Sequence, residues 1–384
     1  MSERAGVADH TLRYAIVGAG MMGVEHIHAL GALAGCEVVA LCDPHHESLD
    51  RAGAALASSP PSIGAGSSRG TTVARFNSVD DLVATCDFDV AVVATPNFTH
   101  RAVLEPLLHS GAHVLVEKPL CTTVSDCREV IALEQATHVR GRVVWVGLEY
   151  RFMAPTMRLL EHSRNGELGR LRMVAIREHR FPFLQKVGDW NRFSCNTGGT
   201  LVEKCCHFFD LMRLILGSEP SRVFASGAQD VNHLDEMYDG KVPDIIDNAL
   251  VIVDFASGAR ASLDLCMFAE ATKNEQEISV VGDLGKVEAL VTEGVVRTGL
   301  RANGWFQCEE ERIGHGDVPA SVLQHGAHHG SSWRQHMAMQ SAIRKGAPAT
   351  VTTHDGLMSV AMGEAAHRSI MLGRPVLMSE ILAP

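Results

Sequence analysis

Residues 12–23, Leu-Arg-Tyr-Ala-Ile-Val-Gly-Ala-Gly-Met-Met-Gly, constrain this chain more than any other stretch. An apolar run leads straight into Gly18, Gly20 and Gly23, and Val24, Ile27, Ala29 and Leu30 follow at helical spacing. The reading is strand, tight turn, helix. Gly18 allows the sharp turn, Gly20 allows a pyrophosphate to approach the backbone, and Gly23 allows helix and strand to pack closely. The helix start, with Met21 and Met22 in its first turn, offers unpaired amides and a positive dipole end to phosphates.

Three glycines alone are a weak signal. They are reinforced by residues 38–42, Val-Val-Ala-Leu-Cys, a second strand closed by Asp43, which lies 20 residues beyond Gly23. A carboxylate there accepts hydrogen bonds from an adenosine ribose and repels a 2′-phosphate, and no arginine follows it, so the expected cofactor is NAD. Further short apolar runs at 89–95, 114–116 and 143–147 alternate with helical patterns at 101–109 and 124–138. Such alternation implies a doubly wound parallel sheet, with ligands at the carboxyl ends of its strands. Residues 52–70, small and rich in Pro, Gly and Ser, read as a surface loop, and Ser78 reads as a helix cap.

Beyond residue 150 the pattern changes. Residues 171–178 alternate in part, 249–255 and 261–267 flank a glycine turn, and 278–281 lead into a second turn. The expected fold is therefore α/β: an N-terminal Rossmann domain over 1–148, and a C-terminal α+β domain with an open, largely antiparallel sheet over 149–384. A last helix at about 354–372 is expected to pack back on the body. One sheet face left available makes a homo-oligomer, dimer or tetramer, the expected assembly.

With 384 residues the chain is long enough for two domains. Its net charge of −11 argues against nucleic acid or anionic membrane as partner. Ten cysteines with no CxxC pair, and no charged-then-apolar opening segment, fit a reducing cytoplasm. Cys205 and Cys206 beside His207 lack the recurring paired ligands of a structural zinc site, so no metal is expected.

Two stretches fall just past parallel strands: Thr95-Pro96-Asn97-Phe98-Thr99-His100 and Glu117-Lys118-Pro119. Together with the glycine turn they resemble the Gfo/Idh/MocA family of glucose-fructose oxidoreductases and inositol dehydrogenases, whose T-P-N-x-x-H and E-K-P motifs they match. The resemblance implies that Thr95, Pro96, Asn97, His100 and Glu117 serve the cofactor, and that Lys118 reaches both substrate and nicotinamide ribose. A second family signature is matched by Gly198-Gly-Thr-Leu-Val-Glu203-Lys-Cys-Cys-His207-Phe-Phe-Asp210, with Glu203 where the family usually has aspartate. Spacing i, i+4 puts Glu203 and His207 on one face of a helix. Asp210 and Arg213 read as residues that hold that helix.

The preceding segment interleaves Arg177, His179, Arg180, Lys186 and Arg192 with Phe181, Phe183 and Trp190. Aromatic faces stack on sugar C–H surfaces and arginine forks bind anions, so Arg177, Arg180, Lys186, Trp190 and Asn191 are candidate substrate contacts. A loop holding His325, His328, His329 and Ser331 is a further candidate wall, with His329 as its contact.

The resemblance implies hydride removal from a secondary hydroxyl carbon of a sugar, carbon 3 being the expected position, with Lys118 and His207 sharing the proton transfer and Glu203 as a third acid/base group. It also leaves a redox-neutral alternative. Some superfamily members hydrolyse glycosides by oxidation, elimination, water addition and re-reduction, and the basic segment would then suit an anionic glycoside such as a sulfoquinovoside or uronide. A fold retained as a regulator without activity is the third reading, and the presence of Lys118 and His207 argues against it.

Overall fold

The structure, a computed structural model, describes residues 10–58, 73–325 and 328–383. Two compact units emerge: residues 1–121, 125–149 and 317–356 form the first, and 122–124, 150–316 and 357–384 the second. Sequence periodicity marks the change near 150. It carries no sign that 317–356, read above with the second domain, belong to the first unit.

In the first unit, β1 (Leu12–Val17), α1 (Met21–Gly31), β2 (Cys36–Cys42), α2 (His46–Ser58), β3 (Ala74–Phe76), α3 (Val79–Thr85), β4 (Val90–Val93), α4 (His100–Ser110), β5 (His113–Glu117), α5 (Val124–Ala136) and β6 (Val144–Gly147) alternate. The strands form one parallel sheet in the order β3-β2-β1-β4-β5-β6. Strands β4 and β6 are buried at every residue, as a sheet covered on both faces requires. Ser78 caps α3 by accepting the Asp81 N–H at 3.1 Å. The expected loop at 52–70 is helical through Ser58, because Leu49, Ala52 and Ala55 form a buried stripe. The rest of that stretch, 59–70, lies outside the described residues, as do 1–9 of the N-terminal segment.

The second unit runs α6 (Ala154–Arg164), β7 (Leu171–His179), α7 (Ser194–Thr197), α8 (Thr200–Glu203), α9 (Cys206–Leu216), β8 (Pro220–Ala228), β9 (Asn248–Phe255), β10 (Arg260–Cys266), β11 (Gln276–Gly282), β12 (Gly285–Leu290), β13 (Val295–Leu300) and β14 (Glu309–Arg312). The chain ends with α10 (Ala320–His325), α11 (Ser331–Lys345), α12 (Thr353–Leu372), β15 (Val376–Leu377) and α13 (Met378–Leu382). Nine strands form a sheet in the order β14-β13-β12-β11-β7-β10-β9-β8-β15, antiparallel except where β7 pairs with β10. Alternate residues of β11 are buried, the signature of a sheet with one covered face. Gly258, at φ +82°, supplies the left-handed turn between β9 and β10.

Helix α12 starts in the first unit, where Thr353 donates to Glu134, and continues in the second, where Gly363 lies against Leu201 and Ser369 Oγ receives the Ala225 N–H. No helix among the described residues is long and apolar enough to cross a membrane.

Candidate functional site

The strand order reverses between β1 and β4, the position where open parallel sheets bind nucleotides. Gly18 leaves β1 at φ +91°, and a Cβ there would meet the Ala94 carbonyl carbon at 2.5 Å. A Cβ on Gly23 would sit 2.1 Å from the Gly18 oxygen, whereas one on Gly20 would meet nothing within 4 Å. Two glycines thus serve close packing, and the third leaves room for a ligand. Gly20 is the N-cap of α1 and provides no side-chain cap, so the amides that follow stay available to phosphate oxygens. Met21 is exposed and Met22 half-buried beside them. Asp43 is held in place by the Ala19 and His45 N–H groups, each at 2.8 Å.

After β4, Thr99 donates to Thr95 Oγ1 at 2.8 Å and Pro96 leads into a short 3₁₀ turn. Asn97 is buried, and its Nδ2 has no hydrogen-bond partner among the described residues. A buried orphan donor beside an open glycine turn is what a site shaped for a nucleotide would present. His100 points elsewhere. Fully buried, it lies 2.9 and 3.2 Å from the carbonyls of Pro119 and Leu120 through Nδ1, and 3.1 Å from that of Thr95 through Nε2. Its surroundings are protein carbonyls, so it fastens the two motif loops together.

The Glu-Lys-Pro loop has a buried support. His26 of α1 donates from Nε2 to Glu117 at 3.0 Å, and His26 and His336 share a hydrogen bond at 2.9 Å. Glu117 also accepts the Lys118 N–H at 3.2 Å. With His26 neutral, His336 donates to its Nδ1 and keeps its own Nδ1 as a buried acceptor without a partner among the described residues; with His26 charged, both His26 nitrogens donate. Burial, with the charge of His26, holds His336 well below the ordinary histidine range. Burial raises Glu117, but the His26 hydrogen bond and the charges of His26, Lys118 and His328 outweigh it and keep its carboxyl below the usual range.

Glu149, directly after β6, is 1 % exposed. Burial and the charge of Glu117 push its carboxyl up to about 7, against the pull of His328 and Lys118. His328 lies 3.7 Å from Glu149 and hydrogen-bonds Glu25 at 2.8 Å, and Ser332 donates to Glu25 at 2.6 Å. Burial raises Glu25 too, but the charge and hydrogen bond of His328 prevail and lower it to about 2. The histidine-rich stretch is therefore no simple exposed loop: His325 closes α10 and stacks on His28 at 4.3 Å, and Ser331 is buried at the start of α11. His325 and His329 are exposed and His328 is half-buried.

In the second unit the expected continuous helix around Glu203 and His207 is broken. Helix α8 ends at Glu203 and α9 begins at Cys206, with Cys205 N reaching back to Thr200 O at 3.4 Å. The i, i+4 argument therefore fails, although both side chains are buried. His207 stacks on Tyr150, centroids 4.0 Å apart and planes 8° from parallel. Lys204 donates to Tyr150 Oη at 2.7 Å and pairs with Glu178 at 2.8 Å. Asp210 forms a buried two-pronged pair with Arg151, and Arg213 pairs with Glu219, which bears out their reading as helix supports.

The basic segment differs from its expectation. Arg177 pairs with Glu277 at 2.5 Å, Arg180 lies 3.5 Å from Glu178 and over the Phe181 ring, and Arg192 pairs with Glu236 at 2.7 Å. Asn191 is buried and donates to the Leu184 carbonyl, while Lys186 and Trp190 are half-buried. Arg177 and Arg192 thus meet the protein's own acids through part of their forks, while Arg177 Nε and Arg180 Nε have no hydrogen-bond partner among the described residues.

Sequence reasoning missed His26, His336, Glu149, Tyr150, Lys204 and Glu178. The rule that ligands gather past the carboxyl ends of parallel strands, applied above to β4 and β5, also covers Glu149 and Tyr150 after β6. No local pattern marks His336, which reaches His26 across 310 residues.

Fold and site together define a two-unit, nucleotide-binding oxidoreductase. Residues 12–147 match the oxidoreductase family's NAD-binding Rossmann fold, and 163–378 match its C-terminal alpha/beta domain. The chain belongs to the Gfo/Idh/MocA family of NAD-binding oxidoreductases. It is 26 % identical over 379 residues to an inositol 2-dehydrogenase of Rhizobium meliloti, covering 95 % of this chain and 99 % of the relative. Among solved structures, a probable dehydrogenase of Thermotoga maritima shares the fold at TM-score 0.74 and 23 % identity, over 97 % of this chain and all of the other. A levoglucosan dehydrogenase, in complex with NADH and levoglucosan, does so at TM-score 0.80 and 17 % identity, over 96 % and 99 % of the two chains.

Proposed function

We propose that this enzyme oxidises a secondary hydroxyl of a sugar or cyclitol, with carbon 3 the favoured position in a pyranose. NAD, when bound, supplies the hydride acceptor. Gly18, Gly20, Gly23, the α1 amides, Asp43 and Asn97 would hold it. The proton work falls to side chains: His207 accepts the hydroxyl proton, Lys118 donates a hydrogen bond to the hydroxyl oxygen, and Glu203 is a further exchangeable carboxyl. The observation that carries the reading is Glu117, which fixes the Lys118 backbone at 3.2 Å while itself fixed by His26 at 3.0 Å. A lysine is thereby held at the end of a parallel strand in the sheet that carries the cofactor turn. Relatives named for inositol and levoglucosan oxidation support a neutral polyol as the substrate class.

The test is a panel of cyclitols and aldoses with NAD, read at the NADH absorbance. Lys118→Ala and His207→Ala should each lower turnover by roughly 10²–10⁴-fold with NAD binding and melting preserved. Near-normal turnover in either variant removes that residue from the assignment.

A second reading, redox-neutral hydrolysis of a glycoside, draws on Glu149. A buried carboxyl raised to about 7 is partly protonated at neutral pH, and a departing aglycone needs a proton. Nitrophenolate release from p-nitrophenyl glycosides without net NADH would establish it, and NADH without aglycone release would exclude it. The sulfoquinovoside or uronide version rests on the basic segment, where Arg177 and Arg192 also pair with Glu277 and Glu236.

A homo-oligomer through the nine-stranded sheet is supported by its exposed apolar residues. Phe224 and Ile252 stand opposite each other on neighbouring strands, and Leu250 and Met173 share their face.

A further inference from the structure

The reading of His207 as proton acceptor leaves its surroundings unexplained, above all a lysine buried beside it. Lys204 is 4 % exposed. Burying an ammonium is costly unless it is paired, and an apolar residue packed against Tyr150 and Phe208 would avoid that cost. Lys204 instead makes two polar contacts, to Glu178 at 2.8 Å and to Tyr150 Oη at 2.7 Å. Gln276 Nε2 is a second donor to the same oxygen, at 3.3 Å. The phenol is thereby anchored at its tip while its face covers the imidazole.

That stack has a charge preference. Two neutral rings lying face to face meet negative face to negative face, and such pairs usually offset or turn edge-on. An imidazolium reverses the sign, because a cation over an aromatic face is attracted to it. With planes only 8° from parallel, Tyr150 therefore favours the protonated form of His207.

We propose that Tyr150 is the positioning residue of His207, and that the Lys204–Glu178 pair behind it sets the pH at which His207 takes up its proton. This rests on the proposed role of His207. The charged and titratable groups around the stack are Glu203 and Lys204 on the preceding turn, the Arg151–Asp210 pair one turn on, Tyr150 itself, Glu178 from β7 and Arg180 just beyond it. Arg151 and Asp210 neutralise each other. Lys204 and Glu178 are the pair whose balance a single substitution tips. Burial and the charge of Arg180 already lower the proton affinity of Lys204, against the pull of Glu178.

The experiment is an NMR titration of the full-length protein with ¹⁵N-labelled histidine rings, His207 being assigned from the signal lost in His207→Asn. Lys204→Met removes a positive charge and leaves Glu178 facing the site, so the His207 midpoint should rise by roughly one pH unit. Glu178→Gln leaves Lys204 uncompensated, so the midpoint should fall by roughly as much. The double variant, with neither charge, should return to within a few tenths of a unit of wild type. The low-pH limb of kcat/KM should move with these midpoints. Tyr150→Leu should erase the upfield ring-current shift of the His207 ring protons and lower kcat more than it changes KM.

Unmoved midpoints in both folded single variants, or shifts of the same sign, overturn the proposal. If either single variant fails to fold, Tyr150→Phe decides: it keeps the ring and removes the anchored oxygen, and an unchanged His207 midpoint and ring-current shift overturn the proposal. The titration needs neither substrate nor cofactor. Opposite shifts in a protein whose turnover survives His207→Ala would keep the coupling and discard the catalytic role.

Discussion

Each unit buries a network of charged groups beside its candidate residues, and the two are built on different principles. In the first, the carboxyls of Glu25, Glu117 and Glu149 face His26, His328 and Lys118, and His328 serves two acids at once. In the second, Arg151 pairs with Asp210 and Arg213 with Glu219, while Glu178 lies between Lys204 and Arg180. In the shared network His328 is divided between two acids, and burial beside Glu117 raises the proton affinity of Glu149. A paired network fixes side chains. The first arrangement suits proton storage and the second suits positioning.

The contrast can be broken most sharply by deleting one charge from each network. Arg151→Ala should destabilise the protein by about 3–5 kcal/mol, since Asp210 would remain buried and uncompensated. A loss under about 1 kcal/mol in thermal or urea unfolding would show that the pairing is not structural.

Glu149→Gln should act in the opposite direction, with a pH signature. Its folded carboxyl titrates near 7, above the ordinary 4.5, so its contribution to stability is full below about 4.5 and is lost as pH rises through 7. The glutamine variant should abolish that decline and be more stable at pH 8, on the order of 2–3 kcal/mol. Glu25 has the reverse window. Lowered to about 2, it stabilises above 4.5 and loses that contribution as pH falls toward 2. Glu25→Gln should therefore cost stability at pH 7 and little at pH 2. Parallel pH profiles for the two variants would erase the distinction between the acids.

Smaller effects test the two sheets. Asp43→Ala should narrow the preference for NAD over NADP by roughly tenfold, the scale of one charged hydrogen bond. An unchanged ratio would remove the ribose role. Leu250→Glu with Ile252→Glu should lower the mass seen by light scattering while leaving the melting temperature within a few degrees. An unchanged mass would take this face out of any assembly.

What the sequence disclosed follows the range of the interactions. The glycine turn, the Ser78 cap, the buried runs of β4 to β6 and the β9–β10 hairpin are local, and each was legible from residues within a few positions of one another. The 46–58 helix was obscured by small residues, although Leu49, Ala52 and Ala55 carry its buried stripe. The break after Glu203 was hidden because Lys204, Cys205 and Cys206 are all tolerable helix residues. Nothing in the spacing marks the break. The basic segment was legible as charge, but the acids that engage it, Glu236 and Glu277, lie 44 and 100 residues away. Local sequence thus revealed the motifs, while the partners that tune them come from elsewhere in the chain.

The membership of α11 in the first unit bears on how the protein is made. Helix α1 begins at residue 21, yet Ser332 and His336, which bond Glu25 and His26, and Trp333 and Gln340, which bond Ala32 and Ala34 in the turn after it, lie on α11, which ends at Lys345. During synthesis the nucleotide-binding unit cannot close on His26 until the ribosome has passed nearly the whole chain. The chain crosses between the two units five times, so a cut at residue 150 would release neither of them whole. A nascent chain paused before α11 would expose the flank of α1, which makes that stretch the natural place for a chaperone to act.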